Sequence, residues 1–251
     1  MAAMTAGARA ADADLTGIHT VAVVLMMKSD LQLQTMGLTR FDNSENAVPT
    51  DWDLNGAALR RLTAALGGRF ELRPGTLPPG IFDHLDGGLF ESPRTVFAKR
   101  IQALTPPPGV DAYLVLAQGP GLMRDETRGI FLYHDAGLIT GKGTLVSLPW
   151  GIALYDVHTG KMLASGVGKI PWRDTFSGYG EATEMCADEI WPESPAALTD
   201  AQKARIRQET FSLIERSAPF ALYDAGIIPE DAAKAMLASA TPAEPSCHGI
   251  P

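Results

Sequence analysis

Three short segments bring chemically capable side chains together along this chain. Tyr133-His134-Asp135 sets an imidazole beside a carboxylate. Such a pair can take and return a proton near neutral pH, provided a nucleophile or a water lies within hydrogen-bond reach. Neighbours on a strand point to opposite faces, so the two would cooperate only in a turn, and Asp135-Ala136-Gly137 has turn composition. Asp83-His84 with Asp86-Gly87-Gly88 offers two acids and a histidine in a glycine-rich loop, but the ligand spacing of a calcium loop is missing and no metal is expected there. Thr140-Gly141-Lys142-Gly143-Thr144 resembles part of a phosphate loop. It fails the Walker pattern, because Lys142 is followed by glycine, and reads as a hairpin connector. Ser165 and Ser177 lack the neighbours of a nucleophile elbow, and no Gly-x-Gly-x-x-Gly follows the first strand. No residue is therefore assigned as catalytic, and no cofactor is expected.

Tryptophan supplies a different kind of chemistry. Trp52, Trp150, Trp172 and Trp191 are read as lying in loops or at strand edges. There an indole either pins a loop to the core or offers binding area with one hydrogen-bond donor. Trp150, Trp172 and Trp191, together with His134 and Asp135, form the candidate binding set. Cys186 and Cys247 fit no zinc spacing. Two readings of them stand: a disulfide tying the tail to the body of an exported protein, or two unrelated thiols.

The elements that must hold these residues follow from pattern. Thr20 to Met27 is a buried strand. Lys28 to Asp51 is long and irregular, with a second strand or hairpin over Leu31 to Phe41 and a polar loop from Asp42 to Pro49. Asp51 or Asp53 caps a helix that Gly67-Gly68 ends. A short strand over Arg69 to Arg73 comes next, then a helix from Pro93 through Leu104, and a strand over Tyr113 to Ala117. Gly129 to His134 is a further strand. Leu145 to Ile170 is a hairpin whose turn is Asp156-Val157-His158-Thr159-Gly160, with Asp156, Thr159 and Gly160 as its structural residues. Pro171 to Pro195 reads as irregular. A long helix starts at the Thr199-Asp200 cap and is interrupted or kinked at Pro219, and a short alanine-rich helix follows Pro229. Alternation followed by a meander predicts an α/β (α+β) fold: a mixed β-sheet with helices packed on one face, plus a C-terminal helical extension. The predicted organisation is an arm or signal-peptide remnant over 1–17, an α/β module over 18–170, a loop and helical extension over 171–240, and a flexible tail over 241–251.

Composition narrows the function classes. The chain has 251 residues and a net charge of -8, with no basic surface for phosphates, so a general nucleic-acid binder is excluded. No apolar run approaches the roughly 20 residues that span a bilayer. Ala8-Arg9-Ala10 before Ala11-Asp12 has the form of a signal-peptidase site, although Met1 to Gly7 holds no apolar segment of signal-peptide length. Export is the expectation, with the cytoplasm as the alternative.

The strand Val21 to Leu25, Gly109-Val110-Asp111-Ala112 opening the strand Tyr113 to Leu116, and Asp156 to Ser165 together resemble the module shared by CsgG-like proteins, LpoB-like lipoproteins and the TolB amino-terminal domain. The resemblance covers roughly residues 18–170. It departs from that module in lacking a lipobox cysteine near the start and in the length of Lys28 to Asp51. It implies a non-enzymatic cell-envelope or periplasmic accessory module, binding a protein or cell-wall partner through a sheet edge or the tryptophan-bearing loops. Self-association is a further expectation. The competing reading is a small hydrolase using His134 and Asp135.

Overall fold

A computed structural model describes residues 15–36, 43–78, 80–81, 93–119, 128–136, 142–170, 182–245 and 247. Among the described residues, ten strands form two mixed five-stranded sheets and four α-helices accompany them, so the chain is α+β with a helical C-terminal part.

The first sheet holds β1 (Thr20–Met26), β4 (Glu71–Pro74), β5 (Ala112–Gln118), β8 (Trp150–Asp156) and β9 (Met162–Val167), in the order β4-β1-β5-β8-β9. β1 runs parallel to β4 and β5, and the β5–β8 and β8–β9 pairs are antiparallel. The second sheet has the order β10-β7-β6-β2-β3, from β10 (Ala182–Cys186), β7 (Lys142–Leu148), β6 (Ile130–Ala136), β2 (Leu31–Met36) and β3 (Ser44–Val48). The neighbour order repeats: β1-β5-β8-β9 in one sheet corresponds to β2-β6-β7-β10 in the other. The chain steps between counterparts across short breaks such as Met27–Asp30 and Pro149.

Gln118 bridges the break between β1 and β2. Its Oε1 accepts from the Lys28 amide at 2.8 Å, and its Nε2 donates to the carbonyls of Lys28 at 3.0 Å and Gly129 at 3.1 Å. A side chain thus supplies the ladder bonds that the interrupted strands do not. Gln118 is 7% exposed, so Gln118→Leu strands the buried Gly129 carbonyl and the part-buried Lys28 groups and should cost about 1–3 kcal/mol. Urea unfolding checks this; an unchanged midpoint would mean the junction is held by other contacts.

Helices cover both faces of the first sheet. Alternation sends Val21, Val23, Leu114 and Leu116 to one side, where Leu54, Ala58 and Leu62 of α1 (Leu54–Leu66) and Leu213, Ala218 and Leu222 of α3 (Asp200–Asp224) bury them. Ala22, Val24, Tyr113 and Val115 face the other way, against Phe97 and Ile101 of α2 (Pro93–Gln102). α2 therefore lies opposite α1 and α3, where the sequence predicts one helical face. The reason is visible in β1 and β5, which are apolar on both sides. α4 (Glu230–Ala238) packs on α3.

Local chemistry sets the ends of these elements. The Asp53 carboxylate accepts from the Gly56 amide and caps α1. Thr199 and Gln202 form a capping box for α3, which runs through Pro219 to Asp224 without ending there. Burial of Ala218, Pro219, Ala221 and Leu222 holds the helix together across the missing donor. In the β8–β9 turn, Asp156 Oδ1 accepts from the amides of His158 and Thr159 and from the Thr159 hydroxyl. Desolvation pushes the Asp156 carboxyl upward, but these bonds outweigh it and hold the group below its ordinary range. Gly160 has φ +65, and a Cβ there would collide with the Ala98 carbonyl of α2, so glycine is required twice over. Asp111 accepts from the Thr20 and His19 amides, each at 2.8 Å, which lowers its pKa and ties the start of β5 to the start of β1.

Two segments read as irregular are strands. The polar loop over Asp42 to Pro49 contains β3, paired antiparallel with β2. It is exposed on both faces apart from Val48, so it carries no apolar alternation to betray it. The stretch Pro171 to Pro195 contains β10, whose buried positions are Ala182, Glu184 and Cys186. A buried glutamate at the central position hides the strand from a hydrophobic pattern.

Candidate functional site

His134 and Trp191, picked from the sequence separately, meet in the structure. Their rings stack with centroids 5.1 Å apart and planes 19° from parallel. His134 sits near the end of β6, on the face that carries Ile130 and Leu132 and looks toward α3. Trp191 ends a short 3-10 turn, Asp188–Ile190, that follows directly on β10. Ile190 is fully buried and anchors that turn, leaving the Trp191 indole half-buried against the core rim.

Two polar groups complete the cluster. Thr144, in register with His134 on β7, places Oγ1 3.4 Å from His134 Nδ1. The same hydroxyl donates to Asp188 Oδ1 at 3.4 Å, and that oxygen lies 3.9 Å from His134 Nδ1. Among the described residues this geometry does not make a catalytic relay. In a nucleophile–histidine–carboxylate relay, the hydroxyl and the acid address opposite ring nitrogens. Here both address Nδ1. Thr144 is also 0% exposed, so no substrate reaches its hydroxyl. What the cluster does offer is a flat stack of imidazole and indole, held by Thr144 and edged by Asp188, whose side chain is 57% exposed.

The other sequence candidates lie elsewhere. Asp135 follows His134 in β6, in register with Gly143, and its side chain lies outside the described residues. Trp172 and the Asp83–Gly88 loop are also outside them. Trp150 begins β8 in the core, 3% exposed, and its Nε1 donates to the Ser217 hydroxyl of α3 at 2.9 Å. It fastens helix to sheet and has no surface to offer a partner. Trp52 is likewise buried, just ahead of α1. Among the described residues, no three His, Cys, Asp or Glu side chains gather in a metal-binding group.

The platform rests on a buried ionic framework that sequence reading did not anticipate. Arg216 of α3 donates to Glu184 of β10 at 2.9 Å, to Glu209 at 2.5 Å and to the Ser212 hydroxyl at 2.9 Å. The side chains of Glu184 and Glu209 are 0% exposed. Burial pushes the Arg216 guanidinium below its ordinary value, and the charge and hydrogen bond of Glu209 oppose that shift. Glu209 also accepts from the Glu244 amide at 2.7 Å, and Ser212 donates to the Thr241 carbonyl at 3.0 Å. Cys247 is then bonded to Cys186, the last residue of β10. The described part of the predicted tail, 241–245 and 247, is thus strapped across α3 and β10 by the disulfide, by hydrogen bonds to Glu209, Ser212 and Glu215 and by the Arg205–Glu244 ion pair. The open choice between a bridge and two thiols resolves to the bridge.

Neither Asp188 nor Arg216 carries a sequence signal. Asp188 meets His134 only through strand register, and Arg216 looks like an ordinary charged helix residue until β10 is known. No family model matches the chain, and no curated protein matches it. One solved structure, the LpoB C-terminal domain from Salmonella enterica, is similar at 17% identity over 61% of this chain and 84% of that chain, with a TM-score of 0.20. An overlap that slight bears on neither topology nor partner.

Proposed function

We propose that this chain is a non-enzymatic accessory module of the cell envelope that binds a protein or cell-wall partner through the His134–Trp191 platform. The stacked, half-exposed ring pair carries the reading. Its two described polar neighbours, Thr144 and Asp188, converge on one ring nitrogen, an arrangement that orients the imidazole and supports a binding role over a relay. A rigid aromatic surface of this kind gives contact area at low cost in side-chain entropy. The Cys186–Cys247 disulfide supports the compartment, since such bonds persist where the medium is oxidising.

The test compares recovery of partners from an envelope extract by wild type, Trp191→Ala and His134→Ala. Trp191→Ala should reduce recovery by about tenfold or more, the scale of a truncated interface anchor. Thermal unfolding of each variant controls for the fold. Recovery unchanged in both correctly folded variants overturns the platform as the contact. Trp150→Ala is no probe of binding, because it opens the core.

A further inference from the structure

A second surface, lined by other residues, has a different chemistry. A groove of about 570 Å³ between α1 and α3 is lined by Asp53, Arg60, Ala204, Arg207, Gln208 and Phe211. Arg60 projects from α1 and Arg207 from α3, so cations flank it from both helices. Arg60 has Asp53 at 3.9 Å, but both side chains are about 70% exposed, at 72% and 70%, and an exposed pair at that distance contributes little. Arg207 meets no carboxylate within ion-pair distance among the described residues. Its guanidinium instead lies over the Phe211 ring, 5.5 Å from the centroid. That is unusual in a chain with 29 acidic residues against 21 lysines and arginines. The other cations near the start of α3 have acidic partners, Lys203 with Asp200 and Arg205 with Glu244.

We infer that this groove binds an acidic, extended segment of a protein partner, with Arg60 and Arg207 holding its carboxylates and Phe211 and Ala204 receiving apolar side chains between them. The inference rests on the reading of the chain as a binding module and gives its partner a chemical character. Charge complementarity selects the occupant. The net charge of -8 repels a long polyanion such as nucleic acid, whereas a short acidic segment meets the groove lining, where two arginines outnumber the single carboxylate of Asp53. The planar guanidinium fork, stacked on an aromatic ring, suits carboxylate recognition.

The probe is a fluorescein-labelled peptide alternating glutamate and leucine, titrated with the full chain at low salt and followed by anisotropy. A glutamine-for-glutamate peptide and a soluble anionic cell-wall muropeptide are the comparators. Arg207→Glu should weaken the glutamate peptide by about tenfold or more, the loss of a charge-assisted hydrogen bond, and Arg60→Glu with Arg207→Glu by more. Arg207→Lys should retain part of the binding, and added salt should weaken it. Equal binding of the glutamine peptide, equal binding by the folded double variant, or binding of the muropeptide in place of the glutamate peptide overturns the inference. Trp191→Ala is titrated in parallel and should leave peptide binding unchanged. Absence of peptide binding by the wild-type chain alongside intact, Trp191-dependent partner recovery sinks the groove and leaves the platform; wild-type peptide binding that the arginine variants lose, alongside partner recovery unaffected by Trp191→Ala and His134→Ala, sinks the platform and leaves the groove.

Discussion

Arg216→Met should destabilise the fold by about 3–5 kcal/mol, the cost of breaking a buried ion pair from one side. The variant keeps most of the side-chain volume, so loss of packing is small and the effect is electrostatic. Two carboxylates with no exposed side-chain surface, Glu184 and Glu209, would lose the cation they share. Their negative charges would then face one another across the β10–α3 contact in a low-dielectric interior. Denaturant unfolding, monitored by circular dichroism, gives the size of the loss.

The pH dependence identifies the cause. Without Arg216, burial raises the folded-state pKa of these carboxyls above the unfolded value. The folded variant then binds protons more tightly than the unfolded chain, so its deficit relative to wild type should shrink as pH falls toward that raised value. Glu209→Gln in the Arg216→Met background should recover part of the stability for the same reason. A deficit that is flat with pH and unrelieved by Glu209→Gln would mean that Arg216 acts through packing of its methylene stem alone.

The distribution of what the sequence reveals follows from the same physics. β1, β5, α1 and α3 were legible because burial imposes periodicity on them, and because Asp53 and Thr199 announce their helices as caps. The turn at Asp156, Thr159 and Gly160 was legible because its hydrogen bonds are local. β3 and β10 were not. β3 gains its bonds from pairing, and β10 buries a charge that pairs with Arg216, thirty-two positions away. The platform was half legible. His134 and Trp191 stood out by type, but their contact depends on β6–β7 register and on where β10 delivers the turn after Cys186. Trp150 misleads for the opposite reason. Its residue type advertises a surface, while its position at the start of β8 under α3 makes it core.

Replacing both cysteines, Cys186→Ser with Cys247→Ser, should cost about 4 kcal/mol at 25 °C. The bond spans a sequence separation of 61, and closing a loop of that length removes about this much chain entropy from the unfolded state. The loss should be matched by wild type in a dithiol reductant, which exchanges its own thiols into the bridge and leaves two protein thiols, whereas the double serine variant should be insensitive to the reductant. The folded state responds too. Cys186 is the final residue of β10, and the turn bearing Asp188 and Trp191 hangs from it. Freed from Cys247, the strap through Thr241 and Glu244 still has its hydrogen bonds to Ser212, Glu209 and Glu215 and its ion pair with Arg205. Amide exchange should therefore rise first over residues 241–247 and the end of β10, ahead of the β1–β5 core, since local opening needs only these contacts to break. Identical midpoints with and without reductant, or uniform exchange across the chain, would show that the buried ions hold this corner without the disulfide.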